Sequence, residues 1–288
     1  MKISFIGLGI MGLPMAKHLF EAGYLSKVYN RTKSKTKIFE EKGVQISDSP
    51  KEAAQGADII FIIVSDSADV KEVVLGSEGV LEGARPGSIV VDMSSINPEV
   101  SKKIGQELAK LDVEMIDAPV SGGEQGAINA ELAIMVGGAP SAVAQVRPYL
   151  EVMGKSITHL GPLGSGGYAK LANQVIVGIE LQAVAEAFHL ANHAGLDFEK
   201  LYEAIRYGLA GSKVLDHKID NLISGSFEPG FAIDLHLKDM KNAILAAKEQ
   251  NLHLPFTQEL KALLQKMSES GYGDLDHSGM YKFIRENA

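Results

Sequence analysis

The sequence predicts a mainly parallel, doubly wound α/β domain followed by an all-α domain, the two joined by a long helix. Three observations carry this. Short apolar runs alternate with amphipathic stretches through the first half of the 288-residue chain, the signature of β–α–β units with parallel strands. The run Asp58-Ile59-Ile60-Phe61-Ile62-Ile63-Val64 is apolar after its first residue, as a central strand covered on both faces should be. Beyond residue 161 no convincing strand appears, and residues 168–194 read as one helix, roughly 40 Å long at about 1.5 Å per residue.

Taken in order, strands are expected at residues 2–6, 27–30, 58–64, 88–93, 114–118, 132–136 and 157–160, with helices at 11–21, 33–42 and 99–111 among them. Gly161-Pro162-Leu163-Gly164-Ser165-Gly166-Gly167 reads as a flexible joint, which sets the domains at 1–162 and 163–288. The long helix stops at Gly195, a good C-terminal signal. Val175, Ile176, Val177, Ile179, Leu181, Val184 and Phe188 make it apolar nearly all round, so it calls for burial on every side. Five or six helices packed on it, shared with another subunit in a homodimer or homotetramer, would meet that need.

Composition narrows the function. Hydrophobic residues make up 45% and charged residues 22%, enough apolar matter for a sizeable core. The net charge is −8 with no Lys/Arg cluster, so no nucleic acid is expected as a partner. A small anion is still accommodated, because local N–H and Lys groups bind it against the global sign. Cys is absent, which excludes disulfides, thiolate metal sites and thiol nucleophiles. The opening apolar run meets Gly7 too soon for a signal-peptide core, and no later run approaches the ~20 apolar residues of a membrane span. A cytoplasmic protein with no membrane partner is the expectation.

The first strand runs into Gly7-Leu8-Gly9-Ile10-Met11-Gly12, the G-x-G-x-x-G loop of a Rossmann dinucleotide site. Its first glycine serves the tight turn, its second the approach of a pyrophosphate, and its third close helix–strand packing. The helix N-terminus then offers N–H groups to phosphate. NAD sites usually place Asp or Glu at the end of the second strand to bind the ribose 2′-OH. Here Asn30-Arg31-Thr32 stands instead, and an Arg grips phosphate bidentately. NADP(H) is therefore preferred, with NAD(H) as a second cofactor; the alternative is that Arg31 is a solvated loop charge.

Three further segments combine small and polar residues. In Asp117-Ala118-Pro119-Val120-Ser121-Gly122-Gly123, successive N–H groups at Ser121, Gly122 and Gly123 plus the seryl hydroxyl suit a carboxylate; a bare turn is the alternative. Lys170 and Asn173 share a helix face three residues apart. A cation early in an apolar helix opposes the helix dipole and is costly to bury, which favours proton transfer; a snorkelling surface lysine is the other reading. Phe231-x-x-Asp234-x-x-x-Lys238-Asp239 reads on its own as a solvated helix face. No metal is expected: His189 and His193 have the i, i+4 spacing of zinc ligands, but Leu190 stands where H-E-x-x-H has its Glu. His159, His236 and His277 read as structural.

Gly7-Leu8-Gly9-Ile10-Met11-Gly12-Leu13-Pro14-Met15-Ala16, the 117–123 segment and Lys170-x-x-Asn173 together resemble the β-hydroxyacid dehydrogenase family, over essentially the whole chain. The resemblance implies a Rossmann domain, a helical domain joined by the long helix, and an active site in the cleft between them. It makes Lys170 the acid/base, and Ser121, Gly122, Gly123 and Asn173 the binders of the substrate carboxylate and hydroxyl. Ser95 falls on the nicotinamide side of the cofactor. Lys238 matches a cofactor-contacting lysine, and Phe231 and Asp239 would line the nicotinamide pocket. Residues 120–127, 172–177 and 275–278 look most like the tartronate semialdehyde reductase branch, which implies a 3-oxo acid reduced to the hydroxy acid. Other branches act on 3-hydroxyisobutyrate, 2-(hydroxymethyl)glutarate, or glyoxylate and succinic semialdehyde, and a non-catalytic nucleotide-binding module is the remote alternative. One departure is that Ser65-Asp66 stands after Val64 where the family has proline, in a loop bordering the cofactor.

Overall fold

The structure, a computed structural model, describes residues 1–287. Its contacts divide the chain into two compact units, Met1–Lys170 and Leu171–Ala288.

In the first unit, strands β1 (Ile3–Ile6), β2 (Leu25–Tyr29), β3 (Gln45–Ile46), β4 (Ile59–Ile62), β5 (Ile89–Asp92) and β6 (Glu114–Asp117) pair in the order β3-β2-β1-β4-β5-β6. Every pairing among these six is parallel. Strands β7 (Val120–Ser121), β8 (Leu132–Gly137) and β9 (Gly154–Gly161) extend the sheet, with β8 antiparallel to β6 and β7 and parallel to β9. Strand β4 shows why its run is uninterrupted in sequence. Ile59 and Phe61 enter one core with Ile3, Phe5 and Val91, while Ile60 and Ile62 enter another with Ile6 and Val90. Successive side chains alternate faces, and both faces are covered. Helix α1 (Gly12–Glu21) buries Met15, Ala16 and Leu19 on the first core. Later in the chain, α5 (Pro98–Ala109) puts Ile104 and Leu108 into the second.

Several expectations shift. The 58–64 run is extended only over Ile59–Ile62. The two-residue strands β3 and β7 gave too short a pattern to register. Residues 33–42 form a 3₁₀ turn, Lys33–Thr36, and a short helix α2 (Lys37–Glu40) rather than one helix. The joint at 161–167 is not flexible. The Asp117 carboxylate accepts the N–H of Gly164 at 2.7 Å and of Gly167 at 2.6 Å, and a long helix starts there at Ser165.

That helix, Ser165–His193, is the longest in the described residues. It follows α3 (Pro50–Ala54), α4 (Ser67–Leu75), α6 (Gly123–Ile128) and α7 (Pro140–Leu150) and is α8. It meets the length and composition of a membrane span, with 33% of its most apolar window buried. This corrects the expectation from consecutive apolar residues, since a helical window tolerates an occasional Glu180 or Glu186. It is also not buried on every side of one chain: Ile176 is 65% and Leu190 73% exposed.

The second unit is helical: α9 (Phe198–Ile205), α10 (Lys213–Ser224), α11 (Ile233–Glu249), α12 (Pro255–Met267) and α13 (Met280–Asn287) follow α8. Asp197 and Ser212 cap α9 and α10 through their side-chain oxygens, each such cap contributing about 1 kcal/mol. Phe188, Leu215, Ile219, Met240, Leu260, Leu264 and Met280 form its core. Extended pairing among its described residues is limited to one bridge, Ala232 with Asp276.

Candidate active site

Parallel pairing brings the carboxyl ends of β1, β2, β4, β5 and β6 to one edge of the sheet. Open α/β sheets bind ligands there, at the point where strand order reverses, here between β1 and β4. The glycine loop occupies that position. A Cβ on Gly7 would stand 2.0 Å from the Ile63 carbonyl oxygen, and one on Gly12 would stand 1.9 Å from that of Gly7. Around Gly9 a Cβ would meet nothing within 4 Å. The first and third glycines are thus required by the fold, while the second faces open space. Leu8 is buried, Ile10 is exposed and Met11 half-buried; Leu13 and Met15 already donate to the carbonyls of Gly9 and Met11, so an anion here would be met by the loop's own amides at the start of α1. The loop fits a pyrophosphate.

At the adenosine end, Asn30 braces the loop. Its Oδ1 accepts the Leu8 N–H at 2.8 Å, and its Nδ2 donates to the Thr32 carbonyl at 2.9 Å. Arg31 extends outward, its side chain 87% exposed, with Asp69 of α4 at 3.7 Å. Of the three donors expected here, Asn30 is engaged internally and the exposed Arg31 and Thr32 face outward. After β4, Val64 donates its N–H to Ser94 Oγ at 2.9 Å, and Ser94 N in turn donates to Asp92. Ser65 is exposed and Ser95 half-buried. Asp66, in the stretch that departs from the family, caps α4 by accepting from Ala68 and Asp69.

The Asp117 carboxylate is 2% exposed. Burial pushes its pKa above the ordinary carboxylate value, against the backbone N–H groups of Gly164, Gly167 and Gly166. On one side of it the chain leads to β7 and the Ser121-Gly122-Gly123 turn. There Gly122 (φ 140°) and Gly123 (φ 63°) lie in the left-handed region, both exposed, beside a half-buried Ser121. On the other side, the clamped Gly164 and Gly167 open α8, whose second turn carries Lys170. Lys170 is 8% exposed, which sets aside the snorkelling alternative. The Asp117 carboxylate thus anchors the helix start that bears the amine, and the turn that suits a carboxylate ligand follows it four residues along the chain.

In the second unit, the expected residues join through groups that sequence reasoning missed. Half-buried Asn173 donates to Gln174 Oε1 at 2.9 Å, and Gln174 Nε2 donates to Asp239 Oδ2 at 2.7 Å. Asp239, 1% exposed, also faces Lys238 Nζ at 3.2 Å. The Phe231 N–H donates to Asp276 Oδ2 at 2.9 Å. Asp276 also accepts from Lys218 Nζ and from the N–H and hydroxyl of Ser278. The Lys238/Asp239 pair is therefore not a solvated face. The one sequence signal for Gln174 was its place four residues after Lys170, which keeps it on the same helix face.

Comparison with known proteins identifies the family. The family described as the NAD binding domain of 6-phosphogluconate dehydrogenase matches residues 2–161. The one described as NAD-binding of NADP-dependent 3-hydroxyisobutyrate dehydrogenase matches residues 164–284. The chain is similar to 2-hydroxy-3-oxopropionate reductase of Escherichia coli (strain K12), 39% identical over 99% of this chain and 97% of the relative. It is 35% identical to 2-(hydroxymethyl)glutarate dehydrogenase of Eubacterium barkeri, over 98% and 94% of the two chains. The solved structure of Mycobacterium tuberculosis 3-hydroxyisobutyrate dehydrogenase with L-serine superposes with a TM-score of 0.90 at 29% identity, covering 99% of each chain. With glycine loop, sheet order and helical unit all in place, the chain belongs to the β-hydroxyacid dehydrogenase family and is an NAD(P)-dependent oxidoreductase.

Proposed function

We propose that this enzyme reduces a short 3-oxo acid, tartronate semialdehyde foremost, to the hydroxy acid with NADPH. The carrying observation is the buried Lys170, set in the second turn of α8, whose start the Asp117 carboxylate holds through Gly164 and Gly167. When bound, the nicotinamide supplies the hydride. The Ser121 hydroxyl and the N–H groups at Gly122 and Gly123 hold the substrate carboxylate. Lys170 gives its proton to the carbonyl oxygen as negative charge develops there, a role that contributes about 10²–10⁴-fold. Asn173 binds the substrate hydroxyl, and Asp239 acts on the substrate side through Gln174. Gly7, Leu8, Gly9, Ile10, Met11 and Gly12 receive the pyrophosphate. Val64, Ser65, Ser95, Phe231 and Lys238 border the rest of the cofactor.

The preference for NADPH rests on Arg31 and Thr32, left outward-facing while Asn30 braces the loop. Tartronate semialdehyde is favoured by 39% identity to 2-hydroxy-3-oxopropionate reductase over nearly the full length. The reading includes a dinucleotide domain at 1–162, a helical domain at 163–288, and a homo-oligomer that covers Ile176 and Leu190.

A kcat/KM panel tests the assignment, using tartronate, methylmalonate and succinic semialdehydes and glyoxylate, each with NADPH and NADH. Tartronate semialdehyde with NADPH should rank first. A tenfold advantage for another acid would move the chain to that branch, and absence of turnover on all four would overturn the reading.

A further inference from the structure

We infer that His236 and His277 are positioning residues for this reaction: a buried imidazole pair that holds the Gln174 turn of α8 and the Phe231 ring in place. The inference rests on the assignment of Asn173, Asp239 and Phe231 to the site.

His236 is 0% and His277 5% exposed. Their Nδ1 atoms lie 3.0 Å apart, and His236 Nε2 lies 3.2 Å from the Gln174 carbonyl oxygen. A carbonyl only accepts, so His236 carries its proton on Nε2. Its Nδ1 then bears the lone pair, and His277 must donate from Nδ1. The chain of bonds has one direction: His277 to His236 to the backbone of α8. A proton added to His236 Nδ1 would set two N–H groups against each other at 3.0 Å. Around the pair stand Phe231, Gln174, Lys218 and Asp276. Burial drives His277 well below its ordinary pKa, His236 and Lys218 add to this, and Asp276 opposes it.

The helix is shaped to receive this contact. A Cβ on Gly178 would lie 2.8 Å from His236 Nε2 and 2.5 Å from Leu260 Cδ2. Gly178 thus keeps α8 open where the imidazole reaches its backbone. Gln174, held by its carbonyl, directs its amide to Asp239 and is touched by the Asn173 amide. On the other flank, the Phe231 ring meets His236 and His277 edge-on at centroid distances of 5.5 and 5.3 Å. The His277 backbone N–H donates to the Phe231 carbonyl at 2.9 Å. Fully buried, His236 touches neither substrate nor cofactor; it acts through residues assigned to both.

The test uses His236→Phe, His236→Gln and His236→Asn in the full chain. A glutamine places its amide nitrogen near the Nε2 position and keeps the bond to Gln174. An asparagine reaches only the Nδ1 position and loses it. His236→Phe and His236→Asn should lower kcat roughly ten- to hundredfold, the scale of an ångström misplacement, while NADPH Kd and substrate KM change less than about threefold. His236→Gln should stay within about threefold of wild-type kcat, since the bond carried by Nε2 is kept. Wild-type kcat in His236→Phe, or equal losses in Gln and Asn, would overturn the inference. Should His236→Phe not fold, the Gln/Asn contrast decides. Imidazole ¹⁵N NMR of the wild type at pH 7 gives a readout independent of activity. Neutral His277 protonated on Nδ1 supports the pair, and Nε2 protonation or a cation refutes it. Kinetics use whichever substrate of the panel the wild type turns over, so failure of the tartronate assignment remains distinguishable.

Discussion

The two units hold their candidate site residues by different means. In the first, backbone does the work: Gly7 and Gly12 sit where a side chain would strike a carbonyl, and Gly9 faces open space. In the second, side chains make a buried polar web from Asn173 through Gln174 and Asp239, and from His236 through His277 beside Asp276. Backbone sites tolerate little variation in residue type, because a glycine has no substitute of equal size. Side-chain webs admit conservative replacement, provided each buried donor keeps an acceptor.

The largest effect should come from Lys170→Ala, which removes the amine that the Asp117 clamp presents. We expect kcat to fall by about 10²–10⁴-fold with NADPH Kd within about threefold; stopped-flow hydride transfer and fluorescence titration measure the two. Wild-type turnover would place the proton donor elsewhere.

The glycines of the loop separate folding from binding. Gly12→Ala, aimed at the Gly7 carbonyl at 1.9 Å, should lower thermal stability sharply, since overpacking costs about 1–3 kcal/mol or more. Gly9→Ala should leave Tm unchanged and weaken NADPH by roughly tenfold or more, because its methyl occupies the approach of the pyrophosphate. Paired melting curves and titrations would show whether the second glycine matters for the ligand rather than the fold.

A smaller, graded effect should follow pH in the second unit. Burial lowers the His277 pKa in the folded state, so below about 6.5, the unfolded histidine value, the unfolded chain binds more protons. Stability is therefore full above that pH and declines as pH falls toward the folded value. The decline reaches up to about 1.4 kcal/mol per pH unit for one group. Denaturant midpoints at pH 7.5, 6.5 and 5.5 should fall in that order, and His277→Asn should flatten the trend.

Sequence reading recovered what repeats along the chain or has a fixed local spacing. The buried strands, the glycine loop, the long helix and the Lys170/Asn173 face all fall in that class. It did not reveal partners set by folding alone. The Asp117 clamp joins residues 47 and 50 positions apart, His236 and His277 are 41 apart, and Gln174 and Asp239 are 65 apart. No periodicity marks such pairs, so the glycines at 164 and 167 read as a loose joint and His277 as an isolated core histidine. Asn30, a donor by type, also braces the loop it adjoins, a role its local sequence does not mark.

The continuity of α8 through Lys170 and Leu171 has a consequence for recombination. No loop stands at that boundary to absorb a length change. One residue inserted there would turn every later side chain of the helix by about 100° and advance it about 1.5 Å, taking Asn173 and Gln174 off the face of Lys170. Chimaeras that exchange second units among relatives should therefore succeed when helical phase is kept and fail at single-residue insertions, even where both parents fold and turn over.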